Sequence, residues 1–439
     1  MTLPEKIFNA GVVGAGGGAF PTHIKAKSEV EFVIANGAEC EPLIHKDFEI
    51  MLNFPNEIIE GMLLMMEQTK AKKGIFGIKG KNTAAIEAIQ NAIDERDANI
   101  EMCVLGDFYP SGDEYELVYE ATKRLIPPHG IPLDVGCLVN NVETFYNIYQ
   151  AEKKEPVLKK FICVTGLVKK PSSFFVEVGT SFKDVLEIAG GTTTNDFGIF
   201  ISGLLMGTLT FDLNEVVTKA TAGLIVLPRN HYLIDRMNRS YDDMNRIGKS
   251  ACDQCTYCTE FCPRYLLGYD VQPHKVMRTL EFTTSGKEYW NQFADLCCSC
   301  GLCSLYACPE DLYPREACDQ SKVQMRNDGY KYEQQKPVKV HPVKEGRRVP
   351  LKQLMKKLNV EKYESKTPFK EISFEPKVVR IKLKQHAGAP AVPKVKLNQL
   401  VEKGQIIAAP KEGNLGANIH SSVSGKISDI TEDYIEIKR

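Results

Sequence analysis

The chain has 439 residues, of which 43% are hydrophobic and 25% charged, and its formal net charge is −1. This composition is ordinary for a globular protein of about two to four domains and excludes a generally polyanionic or polycationic character. The apolar run 197–211 has 15 residues and is rich in Gly, Ser and Thr, whereas a membrane span needs about 20 apolar residues. We therefore expect no membrane span. We see no targeting segment, and we expect a cytoplasmic protein.

A glycine-rich segment near the N-terminus is the first element with a functional pattern. Residues 14–19 satisfy the dinucleotide fingerprint G-x-G-x-x-[G/A], and Glu39 and Glu41 follow the apolar run FVIAN. A Rossmann site needs a strand directly before this loop and a helix after it. Here Gly11 interrupts the preceding segment and Pro21 would fall in the first turns of that helix. The sequence therefore predicts another kind of glycine loop, whose backbone approaches a phosphate or a flat ring. A flexible surface loop is the alternative.

Nine of the 14 cysteines lie within residues 252–308 and form two similar runs, each ending in Cys-Pro. This spacing is typical of two-cluster ferredoxins, in which the cysteine before proline ligates the other cluster. We predict one [4Fe–4S] cluster on Cys252, Cys255, Cys258 and Cys308, and a second on Cys297, Cys300, Cys303 and Cys262. A pair of zinc ribbons is the alternative, although zinc would need two CxxC pairs per ion.

The remaining cysteines are predicted to be inert thiols. Cys298 is out of phase with the ligand spacing, so we expect it to be a bystander. The other five are scattered along the chain: Cys40, Cys103, Cys137, Cys163 and Cys318.

The region after the cysteines is basic. Residues 331–400 hold 18 Lys and Arg against 6 Asp and Glu. Aromatic residues do not alternate with these basic residues, and we recognise no nucleic-acid-binding motif among them. We therefore predict a solvated basic linker over 331–375 and no nucleic-acid partner. Residues 376–439 alternate strands and turns in the manner of a barrel-sandwich module. This module lacks the exposed turn lysine that carries a lipoyl or biotinyl group, and Lys426 lies in a strand pattern, so we expect no swinging arm.

Several segments resemble one flavoprotein family. GAGGGAFPTHIK and ANGAECEP are similar to the flavin-binding domain shared by the NADH-binding subunit of respiratory complex I and the C subunit of the Rnf electron-transport complex. YPSGDEYEL (109–117) and DVGCLVNNVETF (134–145) resemble later loops of that domain, and 161–191 resembles its following β-grasp (SLBB) module. The resemblance implies a multidomain α/β and α+β protein. Its predicted parts are an FMN/NADH-binding domain (1–158), a β-grasp module (159–210), a two-cluster ferredoxin-like helical domain (211–330), the basic linker (331–375) and a barrel-sandwich module (376–439).

The resemblance also implies which residues bind the cofactor. Lys25 would stabilise a phosphate or reduced flavin, and Glu114 would lie beside the nicotinamide, so both are candidate catalytic residues. In the complex I subunit, aromatic residues follow the lysine, whereas here Ala26, Lys27 and Ser28 do. The predicted cofactor-binding residues are Gly14, Gly16, Gly17, Gly18, Lys25, Asn36, Glu39, Glu41, Asn140, Asn141 and Thr144.

With the barrel-sandwich module last, the order of modules resembles the cobalamin reductases of propanediol-utilisation microcompartments. This implies that NADH reduces FMN, which passes single electrons through two [4Fe–4S] clusters to a corrinoid. The implied partners are NADH, a corrinoid, an adenosyltransferase and microcompartment shell proteins, with a location in or at the shell. Two alternatives are an Rnf-like electron-input protein with a protein acceptor, and a non-enzymatic electron conduit or docking scaffold.

Overall fold

The N-terminal part of the chain forms an α/β layer around a four-stranded parallel sheet. The structure is a computed structural model that describes residues 1–280 and 291–439. The sheet order is β3-β2-β1-β5. Strands β1, β2 and β5 are largely buried because helices cover them, whereas the edge strand β3 is buried only at its two ends. The elements are α1 (Leu3–Ala10), α2 (Thr22–Lys25), β1 (Phe32–Gly37), α3 (Lys46–Asn53), α4 (Pro55–Gln68), β2 (Lys73–Lys79), α5 (Thr83–Asp94), β3 (Ile100–Leu105), β4 (Phe108–Tyr109), α6 (Glu114–Thr122), β5 (Cys137–Asn141) and α7 (Val142–Glu152).

A second unit follows, built on a five-stranded sheet of order β7-β6-β10-β8-β9. Its elements are β6 (Lys159–Gly166), β7 (Ser172–Glu177), α8 (Phe182–Ile188), β8 (Phe197–Ile201), β9 (Thr208–Thr210) and β10 (Gly223–Pro228). The apolar run 197–211 therefore contains two strands. Strand β10 pairs with β6 and β8 in the middle of the sheet, so the unit continues past residue 210, where the sequence predicted its end.

The cysteine segment is made of short helices and turns. Its core includes Val276, Met277 and Cys318. The predicted helical domain 211–330 also includes residues 281–290, which lie outside the described residues. The helices are α9 (Tyr232–Met237), α10 (Tyr241–Ala251), α11 (Tyr257–Glu260), α12 (Pro263–Leu266), α13 (Pro273–Thr279) and α14 (Pro314–Asn327), with a π-helical turn at Cys303–Ala307.

The basic region 331–375 is not a solvated linker. Its strand β11 (Val349–Pro350) pairs with β4, and helix α15 (Leu351–Lys357) follows. Leu351, Leu354 and Met355 are buried because they fall on one helical face. Lys344 is buried as well, with its ammonium 2.6 Å from Glu116. The apolar residues of this lysine-rich segment pack against the N-terminal part of the chain and against the second unit.

The C-terminal residues form a two-sheet module around its own apolar core. The sheet orders are β12-β18-β17-β14 and β13-β15-β16, and Lys426 is an exposed residue of β17. The strands are β12 (Val378–Lys382), β13 (Val392–Pro393), β14 (Leu400–Val401), β15 (Ile406–Ala409), β16 (Ile419–His420), β17 (Gly425–Ile430) and β18 (Tyr434–Lys438). None of the helices within the described ranges is long and apolar enough to cross a membrane.

Candidate flavin and iron–sulfur site

The glycine loop is fixed at its base and open at its tip. An antiparallel bridge between Val13 and Pro21 closes the base. The amide of Ala15 donates a 3.0 Å hydrogen bond to Oγ1 of Thr144, at the start of α7. Residues 16–18 are exposed. After Pro21 there is only the four-residue helix α2, so the long helix of a Rossmann loop is absent here.

The tip of the loop offers room for a group that approaches the backbone. Gly17 has a φ of +104°, a conformation that side chains disfavour. A Cβ added at Gly17 or Gly18 would meet nothing within 4 Å, whereas one at Gly16 would lie 3.2 Å from Cβ of Asn141. The predicted close approach of a phosphate or ring to this backbone fits that space.

Three asparagines lie at the carboxyl ends of the adjacent parallel strands β1 and β5. Asn36 is in register with Asn141 and donates to the Gly112 carbonyl at 2.9 Å. Asn141 caps α7 and donates to Asp47 at 2.7 Å. Asn140 is buried, and its Nδ2 has no hydrogen-bond partner within the described chain. A buried amide without a partner is costly, and it fits a ligand that supplies an acceptor, such as a flavin carbonyl.

Lys25 and Glu114 lie at the same end of this sheet. The Lys25 ammonium donates to the Val139 carbonyl at 2.8 Å and lies 3.9 Å from the Glu114 carboxylate. Burial lowers the pKa of Lys25, and Glu114 opposes that shift. The Glu114 side chain is half exposed, so its carboxylate remains accessible to a ligand.

Glu41, one of the predicted cofactor-binding residues, has hydrogen-bond partners in the second unit. Its carboxylate accepts hydrogen bonds of 2.9–3.0 Å from the amides of Leu204, Leu205 and Met206. Three converging amides make an anion-binding turn, so Glu41 joins the first sheet to the second unit. Burial nonetheless raises its pKa.

Glu39 belongs to a buried group of charges that sequence reasoning missed. Its carboxylate accepts from the Asp47 amide at 3.0 Å, and burial together with Asp47 raises the pKa of Glu39 to about 8. Nearby, Glu143 lies 2.9 Å from Lys46 and also pairs with Lys160. The sequence signal for this group was Lys160 within the apolar strand β6, because a buried ammonium needs a partner of opposite charge.

This charge group also supports the glycine loop. The Lys160 ammonium lies 3.4 Å from the Ala15 carbonyl, while burial lowers the pKa of Lys160 to about 8. The second unit therefore contributes a side chain to the base of the loop.

The predicted cluster cysteines lie close to one another in the structure. Cys252, Cys255, Cys258 and Cys308 line one cavity, together with His274 and Met277. Cys262, Cys297, Cys300 and Cys303 lie close enough for their thiolates to interact electrostatically. Converging thiols are the donor set that iron–sulfur clusters use. No group of three or more His, Cys, Asp or Glu in residues 1–280 and 291–439 is arranged to hold a single metal ion.

The two sets lie near each other, and further thiols accompany them. Cys303 interacts electrostatically with Cys258 of the first set. Cys298 lies beside Cys300, and Cys318 is buried beside Cys297. Both extra thiols were predicted to be inert, and neither belongs to the two predicted ligand sets.

The set that contains Cys262 and Cys300 contacts the flavin-binding part directly. The Tyr109 hydroxyl donates to the Cys300 carbonyl at 2.8 Å. Arg264 pairs with Asp113 at 2.9 Å and stacks on Tyr115 with its guanidinium 3.4 Å from the ring centre. The loop 109–115, which contains Glu114, thus lies against the cysteine segment.

Four family descriptions match successive parts of the chain. Residues 7–150 match the Nuo51 FMN-binding domain, 161–197 the SLBB domain, 251–313 the 4Fe-4S dicluster domain and 355–438 the RnfC barrel sandwich hybrid domain. Together with the open glycine loop and the two cysteine sets, they define a flavin- and iron–sulfur-containing electron-transfer oxidoreductase, and they confirm the predicted fold class.

Relatives of full length identify the family. The chain is 35% identical to "Cobalamin reductase PduS" of Citrobacter freundii, over 100% of this chain and 97% of that protein. It is also 35% identical to the protein of the same name from Salmonella typhimurium, over 100% and 96%. A third relative is the C subunit of the proton-translocating ferredoxin:NAD(+) oxidoreductase complex of Clostridium ljungdahlii. The two chains are 32% identical over 59% of this chain and 55% of that subunit. The chain belongs to the PduS cobalamin reductase family.

Proposed function

We propose that this protein takes electrons from NADH and delivers them to a corrinoid, reducing its cobalt towards the Co(I) state. FMN supplies the conversion from a two-electron hydride to single electrons, and [4Fe–4S] clusters carry single electrons. The donor is inferred from the complex I type of the flavin domain, and the acceptor from the printed name of the full-length relatives.

One contact supports electron transfer between the flavin domain and the cysteine segment. The loop 109–115, which holds Glu114, is bonded to the cysteine segment through Tyr109 and Asp113. A short path between redox groups requires such a contact between the domains that hold them. A non-enzymatic docking scaffold would not need it.

The predicted site residues have different roles in binding FMN and the nucleotide. The backbone of glycines 16–18 would accommodate FMN at the open tip of the loop. The Asn140 amide, which has no partner among the described residues, would donate to it. Lys25, in part desolvated, offers positive charge to a phosphate or to reduced flavin. The exposed Glu114 carboxylate accepts hydrogen bonds from the nucleotide. Four other predicted flavin residues, Gly14, Asn36, Asn141 and Thr144, hold the loop and strand ends in place.

For the clusters we propose the two ligand sets predicted from the spacing. The first cluster is held by Cys252, Cys255, Cys258 and Cys308, and the second by Cys262, Cys297, Cys300 and Cys303. The second set lies against the flavin domain through Tyr109, and Cys255 of the first set is exposed. The first set therefore suits delivery of electrons to an external acceptor.

An anaerobic NADH titration of the reconstituted protein tests this function. We expect the flavin and cluster absorption to bleach when NADH is added. Adding hydroxocobalamin should then restore this absorption and produce the spectra of Co(II) or Co(I). Protein without flavin should be reduced by dithionite and not by NADH. Reoxidation by ferredoxin alone, with no corrinoid reduction, would favour the Rnf-like alternative, and a purified protein that binds no flavin would favour the conduit.

The cellular setting is part of the proposal. A product containing reduced cobalt suits transfer to an adenosyltransferase. The resemblance to cobalamin reductases of propanediol-utilisation microcompartments implies a place in or at the shell. Co-purification with these partners from a microcompartment preparation tests that setting.

A further inference from the structure

The C-terminal barrel-sandwich module reaches across the chain to the glycine loop. The amide of Ala387, between β12 and β13, donates a 2.9 Å hydrogen bond to the carbonyl of Ala19. Ala417, just before β16, packs in one buried cluster with Val13 and Ala19. The module therefore contacts both sides of the loop, close to the bridge that closes its base.

A buried lysine ties the same module to the beginning of the loop. The Lys219 side chain donates to the carbonyls of Gly11, at 2.6 Å, and of Asn418, at 3.0 Å. Its backbone amide donates to the Gln385 side chain at 3.0 Å. Burial lowers the pKa of Lys219 to about 7. A neutral lysine amine has two N–H donors, which match the two carbonyl acceptors.

The fit between Gly11 and the module is close. Gly11 has a φ of +67°, and a Cβ added there would lie 2.3 Å from the Asn418 carbonyl oxygen and 2.6 Å from the Lys219 nitrogen. The loop therefore begins in a conformation and in a space that a larger residue would disturb. These contacts fix both ends of the loop and leave residues 16–18 open.

We infer that the barrel-sandwich module is a clamp that holds the glycine loop in its cofactor-binding conformation, with Lys219, Ala387 and Ala417 as positioning residues. The inference rests on the proposed flavin site. A loop of consecutive glycines has high conformational freedom, and holding its ends removes part of the ordering cost that flavin binding would otherwise bear. This role of the module does not require a lysine that carries a lipoyl or biotinyl group.

Two variants at the contact test the clamp. Ala417→Arg places a long charged side chain against Val13 and Ala19, and Ala387→Pro removes the amide donor to Ala19. Lys426→Met changes an exposed side chain of the same module and is the matched control. The readouts are hydrogen exchange of peptides covering residues 11–25 in flavin-free protein, and the FMN dissociation constant from flavin fluorescence.

We expect faster exchange of the loop in both variants and FMN affinity weakened about tenfold, because the ordering cost returns to the binding step. Iron content and the exchange protection of strands β17 and β18 should stay at the wild-type level, as they should for Lys426→Met. Loop exchange and FMN affinity within about twofold of wild type in both variants would overturn the clamp.

Two further outcomes distinguish loss of the clamp from unfolding of the module and from failure of the proposed flavin site. If one variant loses protection in β17 and β18, Lys219→Met supplies the same measurement without changing the module. If wild-type protein binds no FMN, the proposed function fails, while the exchange of residues 11–25 still decides whether the module restrains the loop.

Discussion

Arg264 on the cysteine segment forms a 2.9 Å ion pair with Asp113, the residue that caps the helix beginning at Glu114. Both side chains are largely buried, at 10% and 15% exposure. The residue that follows the Cys262-Pro263 pair is thus joined to the loop proposed to contact the nucleotide. This one ion pair couples the position of a predicted cluster ligand to that of the flavin domain.

Arg264→Met should destabilise the protein by about 3 kcal/mol, because it leaves the Asp113 carboxylate without its buried partner. It should also slow cluster reduction by NADH while FMN and iron contents stay unchanged. Urea denaturation and anaerobic stopped-flow absorption measure the two effects. The control is Arg347→Met, which breaks a more exposed pair with Glu260 and should cost less than about 1 kcal/mol. Equal effects of the two variants would contradict a coupling role for Arg264.

Cys255→Ala should remove about half of the iron and sulfide, because each cubane depends on its full thiolate set. FMN should remain bound, since its predicted site lies in another part of the chain. Cys298→Ala, which changes a thiol adjacent to Cys297, should retain all the iron. Chemical iron and sulfide analysis with flavin quantitation makes the comparison. A loss with Cys298→Ala equal to that with Cys300→Ala would show that the ligand register is wrong.

Two glycine variants separate backbone strain from cofactor contact. Gly17 has positive φ, so Gly17→Val should strain the loop as well as weaken flavin binding. Gly18 lacks that constraint, and its Cβ would meet only open space. Gly18→Ala should therefore preserve stability and still lower flavin affinity.

The matched control for these variants is Gly346→Ala, which also adds a Cβ in open space, far along the chain from the loop. Fluorescence titration with FMN and thermal unfolding give the two quantities. If both loop variants bind FMN as the wild type does, the glycine loop is only a connector.

The stability of flavin-free protein should rise with pH above 7 because of Lys219. Its pKa is about 7 in the folded protein and about 10.4 in an unfolded chain. Between these values the unfolded state binds one more proton, so the free energy of unfolding increases by up to about 1.4 kcal/mol per pH unit. Below pH 7 both states are protonated and the contribution levels off. The neighbouring His386 and His420 have lowered pKa values, so they are neutral throughout this range.

Denaturant unfolding at pH 7.0 to 9.0 measures this slope, and Lys219→Met should reduce it by the amount that Lys219 contributes. Lys426→Met should keep the wild-type slope because its side chain is exposed. Identical slopes for wild type and Lys219→Met would mean that Lys219 is charged in the folded protein over this pH range.

The sequence by itself determined the chemistry of this protein. Cysteine spacing is a local property of the chain, because a tight turn presents successive thiolates to one cluster. The predicted exchange of Cys262 and Cys308 between the two runs followed from that rule. The structure places Cys308 beside Cys252, Cys255 and Cys258, and Cys262 near Cys297. The failure of the Rossmann pattern was also local, since Pro21 limits what can follow the glycines.

Only the tertiary structure decided which charges serve a ligand and which serve the fold. Glu41 stands in a motif suited to nucleotide binding, yet its carboxylate accepts hydrogen bonds from three amides of residues 204–206. No local pattern reveals a partner 163 residues away. The buried pairing of Lys160 with Glu143, and the contact of Lys219 with Gly11, depend likewise on which modules meet. Burial makes an unpaired charge or amide costly, and burial is fixed by packing between distant segments.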